Sequence, residues 1–181
     1  MDIKSVSCIY FSPTGTTRTI IKNIAKGMQL KQIEMMDCTL RSQRKGVSFI
    51  YNNDLVIIAA PVYYGRIPEE LVPFLKTLSV QNTPVVLVVI YGNRDYEDAL
   101  IELHDISVSQ GFTPVAGGVF IAEHSYSFSS RPIAHGRPDV KDIKKAQAFG
   151  LKIKEKLKTV ASLEDIEKIK VPGNTPYLEP E

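Results

Sequence analysis

The sequence has few cysteines, no long apolar run and almost no net charge, and each absence excludes a class of protein. Only 2 of 181 residues are cysteine, and Cys8 and Cys38 lie far apart, so we expect reduced core thiols instead of a disulfide framework or a metal site. No run of about eighteen apolar residues exists, so no segment is predicted to span a membrane. The net charge of +2, with dispersed basic residues, argues against nucleic acid binding.

Length and composition predict one domain. A chain of 181 residues that is 44% hydrophobic can bury a sizeable core. The N-terminus runs from Met1 directly into a predicted strand, so we expect no signal peptide and a cytoplasmic protein. We expect a domain over residues 1–160 and a C-terminal tail or linker over residues 161–181.

Strand and helix patterns alternate along the chain. Apolar runs predict buried strands and a weaker pattern predicts an edge strand, at residues 3–11, 31–37, 55–60, 85–90 and 113–122. Helical periodicity predicts four helices, from Thr16, over Ile67–Leu78, over Asp95–Ser109 and after a cap at Asp139, with Val140 on the inward face of the last. Residues 39–53 are expected to be a loop with one helical turn. This order is typical of an α/β protein with a parallel sheet and helices on both faces.

The stretch Ser12-Pro13-Thr14-Gly15-Thr16-Thr17 follows the first predicted strand and precedes the first helix. A helix N-terminus of this kind turns unpaired N–H groups and hydroxyls toward one spot, where a phosphate is stabilised. No lysine follows the glycine, as a P-loop requires, and the three spaced glycines of a dinucleotide site are missing. The residues favour a phosphate monoester held by neutral donors, although an ordinary Ser/Thr helix cap would have the same sequence.

Two aromatic loops follow the central strands. The first is Pro61-Val62-Tyr63-Tyr64-Gly65-Arg66 and the second is Tyr91-Gly92-Asn93-Arg94-Asp95-Tyr96. Aromatic rings at two strand ends can enclose a flat ring system, and glycines let backbone amides approach its edge. Either loop alone is more often packing or turn chemistry, but ligands of such sheets bind beyond the carboxyl ends of the strands. Together the three loops predict one ligand site.

These motifs resemble flavodoxin along nearly the whole chain, to about Lys158. Residues 12–17 are similar to the flavodoxin phosphate loop, Thr/Ser-x-Thr-Gly-x-Thr. The resemblance implies a flavodoxin-like three-layer α/β sandwich, a five-stranded parallel sheet in the order 2-1-3-4-5, and FMN as the cofactor. The cofactor-binding residues that it implies are Ser12, Pro13, Thr14, Gly15, Thr16 and Thr17 at the phosphate, and Pro61, Val62, Tyr63, Tyr64, Gly65, Arg66, Tyr91, Gly92, Asn93, Arg94 and Tyr96 at the ring.

The same resemblance implies roles within the two ring loops. Residues 64–66 match the stretch whose backbone faces flavin N5, and we expect the Gly65 carbonyl to turn over and accept a hydrogen bond there. Tyr91, Gly92 and Tyr96 match the loop that binds the pyrimidine edge and stacks on the other ring face. Ordinary flavodoxins carry acidic residues around the flavin, which are missing here, so Arg66 and Arg94 are expected to place positive charge near the ring.

A closer similarity is to the flavodoxin half of bacterial and archaeal proteins that join a flavodoxin domain to a ferredoxin domain. It rests on residues 61–68, 91–94 and 123–127, while residues 171–177 resemble the interdomain linker of that group. It implies a ferredoxin-type iron–sulfur partner, either a domain or a separate protein. No cysteine-rich ferredoxin motif follows before Glu181, so we expect either a truncated chain or a member without the iron–sulfur half.

The leading functional expectation is FMN-dependent transfer of single electrons to or from iron–sulfur or other redox partners. The alternative is an NAD(P)H-dependent FMN or quinone reductase, which would need an open flavin face. Tyr63, Tyr64 and Tyr96 argue for covered faces. His124 follows the last strand and is the most tempting proton donor, but a surface-loop histidine is the commoner case, so no catalytic residue is predicted.

Overall fold

The computed structural model describes residues 1–44 and 54–179 of the chain. Its centre is one five-stranded sheet in which every paired strand is parallel, in the order β2-β1-β3-β4-β5. The strands are β1 (Ser5–Tyr10), β2 (Gln32–Asp37), β3 (Val56–Pro61), β4 (Thr83–Tyr91) and β5 (Phe112–Ile121). The predicted fold class and strand order are confirmed.

Helices cover both faces of the sheet. Helices α1 (Thr16–Gly27) and α4 (Val140–Lys158) pack on one face, and α2 (Val72–Leu75) and α3 (Ala99–Ser109) pack on the other. Because both faces are covered, the apolar runs of β3 and β4 are almost completely buried. None of the described helices is long and apolar enough to cross a membrane.

Two helices are shorter than predicted. The pattern over Ile67–Leu78 gives only one turn, α2, because Pro73 has no N–H to continue the hydrogen bonds of a longer helix. The pattern over Asp95–Ser109 becomes helical only at Ala99. Ahead of it, the Asp95 carboxylate accepts hydrogen bonds from the backbone N–H groups of Tyr96 and Glu97, which closes a local turn.

Helix α4 begins where the cap was predicted. The Asp139 carboxylate accepts hydrogen bonds from the backbone N–H groups of Lys141 and Asp142, and the Asp142 carboxylate accepts from the Asp139 N–H and from Arg137. The expectation that Val140 faces inward is wrong, since this residue is 71% exposed. Polar side chains stabilise the first turn of α4, so this turn does not depend on burying Val140 in the core.

Helices α1 and α4 approach so closely that two glycines are required at the contact. A Cβ atom on Gly150 would lie 2.0 Å from the Ile24 carbonyl oxygen, and one on Gly27 would lie 2.0 Å from the Gln147 carbonyl oxygen. Both distances are well inside van der Waals contact, so only hydrogen fits between the backbones.

Strand β2 forms one edge of the sheet, as predicted. It pairs with β1 alone among the described strands, and most of its residues, including Ile33 and Met35, are exposed. The segment after it forms a 3₁₀ turn at Arg41–Arg44. The rest of the loop predicted over residues 39–53 lies outside the described residues from position 45 onward.

Candidate functional site

The loops that follow β1, β3, β4 and β5 meet at the carboxyl edge of the sheet because all these strands run in the same direction. Short extensions of the strand pairing hold them there. The Val62 N–H donates to the Ile90 carbonyl at 2.8 Å, and the Ala122 N–H donates to the Tyr91 carbonyl at 2.9 Å. The rings of Phe11 and Tyr63 meet edge-on, with centroids 6.5 Å apart, so the first and second loops are in contact.

The first loop contains a hydroxyl that caps the helix and two exposed hydroxyls that do not. Gly15 stands at the N-cap of α1 with φ +83°, a conformation that glycine adopts without strain. The Ser12 hydroxyl accepts a hydrogen bond from the Arg18 N–H at 3.0 Å, so this serine does cap the helix. The Thr14 and Thr16 hydroxyls lie 3.1 Å apart and are exposed. Helix capping therefore accounts for only some of the polar groups in this loop.

Thr17 supplies a donor with no protein partner in the described chain. Its side chain is buried, at 1% exposure, and no hydrogen-bond acceptor or donor among residues 1–44 and 54–179 is paired with its hydroxyl. The backbone N–H groups of Thr16 and Thr17 are orphan donors of the first helical turn. Buried polar groups are normally hydrogen-bonded, so this set fits an anion that binds at the helix N-terminus.

The second loop is a two-residue hairpin. Tyr63 and Arg66 exchange backbone hydrogen bonds of 2.8 and 3.0 Å, and both turn residues have positive φ, +50° at Tyr64 and +73° at Gly65. The Gly65 carbonyl accepts a hydrogen bond from the Asp98 N–H at 2.9 Å. Turning this carbonyl toward a flavin would therefore require the hydrogen bond from Asp98 to break.

A cavity of about 370 Å³ opens between the second loop, the third loop and the segment after β5. Its wall contains residues that were predicted to bind the cofactor and residues that were not. The expected ones are Val62, Tyr63, Tyr64, Gly65, Gly92 and Arg94. The additional ones are Asp95, Glu97, His124, Ser125 and Tyr126. Asp95 lies in the third predicted loop and residues 123–127 carried part of the family resemblance, but none of them was assigned to the cofactor.

The segment after β5 closes one side of the cavity. The His124 Nδ1 atom accepts a hydrogen bond from the Tyr126 N–H at 3.0 Å, which places the proton of the neutral ring on Nε2. A Cβ atom on Gly92 would lie only 2.4 Å from the His124 ring, so the third loop needs glycine there. Tyr64 and Tyr126 both line the cavity and are exposed, and the neighbouring Tyr64 hydroxyl raises the pKa of Tyr126.

Other predicted ring residues are not part of the cavity wall. Pro61, Arg66, Tyr91, Asn93 and Tyr96 are outside the described wall of the cavity. The Tyr91 and Tyr96 rings pack edge-to-face on each other, with centroids 5.7 Å apart. Tyr96 also packs against the core on the α3 side of the sheet.

The expectation of positive charge from Arg66 at the cavity is corrected by the structure. Its guanidinium donates to both carboxylate oxygens of Glu102, at 3.0 and 2.7 Å, and this hydrogen bonding raises the pKa of Arg66. The carboxylates of Asp95 and Glu97 line the cavity together with Arg94. The local charge is therefore mixed, and it does not have the positive balance that the sequence suggested.

Replacing Gly65 with alanine is expected to lower the free energy of unfolding by about 1 kcal/mol, because alanine is strained at a φ of +73°. A further loss should come from Glu97, whose Oε2 would lie 2.1 Å from the new Cβ. Urea unfolding measures the change. Gly15→Ala is the matched control, since Gly15 also has positive φ but nothing lies within 4 Å of its Cβ position. Equal losses in both variants would mean that the Glu97 contact is unimportant.

An open parallel sheet with an anion-binding helix N-terminus after β1 and an aromatic cavity at its carboxyl edge defines a flavodoxin-like protein. Residues 8–131 match the model of the flavodoxin domain family, and the chain belongs to that family. FMN is the cofactor of the family and of this chain. The orphan donors around Thr17 fit its phosphate, and the tyrosine-lined cavity fits its planar ring.

Solved structures share the fold at low sequence identity. Flavodoxin 1 from Bacillus cereus is 17% identical with a TM-score of 0.63, covering 87% of this chain and 99% of that one. The FMN-bound flavodoxin of Fusobacterium nucleatum is 17% identical with a TM-score of 0.55, covering 87% and 98%. Rubredoxin:oxygen oxidoreductase from Desulfovibrio gigas is 17% identical with a TM-score of 0.60, covering 86% of this chain but 36% of that one. A comparison with curated proteins gives no significant match.

Proposed function

We propose that this chain is an electron carrier that holds FMN with its phosphate at the N-terminus of α1 and its ring in the tyrosine-lined cavity. The observation that carries the proposal is the buried Thr17 hydroxyl, which has no partner in the described chain and lies in a turn with orphan N–H groups. FMN would supply the transfer of single electrons. Ser12, Thr14, Thr16 and Thr17 would bind the phosphate, and Tyr63 and Tyr64 would contact the ring.

The placement of Tyr64 and Tyr126 in the cavity wall favours a carrier over an NAD(P)H-dependent reductase. A reductase must stack a nicotinamide on an open face of the flavin, whereas these two large side chains both stand in the wall of the cavity. They would therefore restrict access to the ring while leaving a short path for an electron.

An iron–sulfur protein or domain of the ferredoxin type is the proposed partner, in the cytoplasm. The support comes from the sequence of residues 61–68, 91–94 and 123–127, which is similar to that of flavodoxin domains joined to ferredoxin domains. Residues 123–127 lie next to the cavity, and His124 and Tyr126 are part of its wall. This is where a partner would have to approach.

Fluorescence titration of the flavin-free protein with FMN and with riboflavin tests the cofactor assignment. We expect FMN to bind more tightly by about 6 kcal/mol or more, roughly 10⁴-fold, since each of the four hydroxyls at the phosphate contributes about 1.5–3 kcal/mol. Equal affinity for the two flavins would overturn it. Rapid reduction of the loaded protein by NADH or NADPH alone would instead favour the reductase.

A further inference from the structure

The C-terminal tail segment, residues 171–178, closes over a buried carboxylate. Asp98 has no exposed surface and accepts three hydrogen bonds from the segment: from the Asn174 N–H at 2.7 Å, from the Asn174 Nδ2 at 2.9 Å and from the Leu178 N–H at 2.7 Å. Burial by itself would raise the pKa of Asp98, but these donors outweigh it and the pKa lies below its ordinary value. The tail segment therefore provides the main compensation for a buried charge.

The same residue touches the cavity. The Asp98 N–H donates to the carbonyl of Gly65, which belongs to the cavity wall, at 2.9 Å. Asp98 also stands at the N-cap of α3, directly after the cavity residue Glu97. Its side chain is thus fixed by the tail segment, while its backbone fixes the Tyr64–Gly65 turn.

A second contact reaches Arg66, the residue that follows the turn. The Arg66 guanidinium lies 4.5 Å from the centroid of the Tyr177 ring, and the Tyr177 hydroxyl donates to Asp105 at 2.7 Å. The Glu102 carboxylate that binds Arg66 also accepts a hydrogen bond from the Ile67 N–H at 3.1 Å. The tail segment therefore supports the turn at Gly65, through Asp98, and at the following residue, Arg66, through Tyr177.

The tail segment is fitted closely to α3. A Cβ atom on Gly173 would lie 2.2 Å from the Ile101 side chain, and Val171 packs against the core on that side of the sheet. A segment that served only as a spacer would need neither contact.

We propose that the tail segment is a positioning element for the flavin ring, and that Asp98, Asn174 and Tyr177 are positioning residues that act through the Tyr64–Gly65 turn. This inference rests on the proposed function. When the tail segment is released, Asp98 loses the donors that compensate its burial and moves toward water, and Gly65 loses the N–H that holds its carbonyl. The ring then binds to a turn that is no longer preorganised.

Two variants release the tail segment, and two controls do not. Asn174→Asp places a second carboxylate beside Asp98, and Tyr177→Ala removes the ring beneath Arg66. Each should weaken the binding of both FMN and riboflavin by the same factor, roughly tenfold, because the turn lies at the ring and not at the phosphate. Glu167→Gln and Glu179→Gln, at exposed positions of the tail outside the tail segment, should bind both flavins as the wild type does.

Amide exchange of the flavin-free protein supplies a readout that does not depend on binding. The Asp98 N–H should exchange faster in Asn174→Asp than in the wild type. If Asn174→Asp does not fold, Asn174→Ala provides the same test. Unchanged flavin affinities together with faster exchange would overturn the positioning role. A wild type that binds neither flavin would instead overturn the proposed function, so the two failures are distinct.

Discussion

Replacing Thr14 and Thr16 together with alanine should weaken FMN binding by about 3–6 kcal/mol, since a hydrogen bond to a charged group contributes about 1.5–3 kcal/mol. The two hydroxyls lie 3.1 Å apart at the start of α1, so one phosphate can accept from both. Riboflavin lacks the phosphate, and its affinity should not change. Titration of each flavin by fluorescence measures both values.

The matched control for that variant is Thr77→Ala combined with Thr159→Ala. Both of these hydroxyls donate to carbonyls of their own helical turns, at 2.7 Å, and neither belongs to the phosphate loop or the cavity wall. The control should bind FMN normally. A parallel loss of riboflavin affinity in the Thr14 and Thr16 variant would show that the loop itself had rearranged and that the hydroxyls were not phosphate ligands.

The second large effect is expected at the contact between α1 and α4. Gly150→Ala would place Cβ 2.0 Å from the Ile24 carbonyl oxygen, so the two helices must separate. Overpacking of this kind costs about 3 kcal/mol, and the better helix propensity of alanine offsets about 1 kcal/mol of that. A net loss of about 2 kcal/mol should lower the melting temperature by roughly 4–8 °C.

Gly117→Ala is the matched control, because it makes the same substitution at a position with room for a methyl group. The nearest atoms to its Cβ position lie 3.5 Å away, which is ordinary van der Waals contact. Thermal unfolding of this variant should be close to that of the wild type. If Gly150→Ala melts at the same temperature as Gly117→Ala, the close approach of the two helices does not constrain residue size.

Much of the fold could be predicted from local patterns. The runs at residues 55–60 and 85–90 are continuously apolar, and only strands covered on both faces bury such runs. The Asp139 cap could also be predicted from the sequence, because the capping residues are close together in the chain. The shortened helices were harder to foresee, since Pro73 and the Asp95 turn act against an apolar periodicity that otherwise favours a helix.

The functional site could be predicted from the sequence only in part, and the reason differs from that for the shortened helices. The hydroxyls of residues 12–17 and the aromatic residues after β3 and β4 are local signals, and they identified three loops at one edge. The direction of a side chain depends on partners that are remote in sequence. Arg66 turns from the cavity because Glu102 and Tyr177 bind it, and no local pattern links residue 66 to residue 177.

The exposed edge strand has a consequence for local stability near the phosphate loop. Among the described strands, β2 pairs only with β1, and it buries little surface, so its hydrogen bonds should break in local openings that cost much less free energy than global unfolding. The residues that follow β2 are tied to the start of the loop, through Cys38 to the Tyr10 carbonyl and through the Thr39 hydroxyl to the Ser12 N–H. Each opening that reaches Thr39 also frees Ser12. Fluctuations of the sheet edge and the occupancy of the anion site are therefore linked, and a bound anion should slow amide exchange along β2.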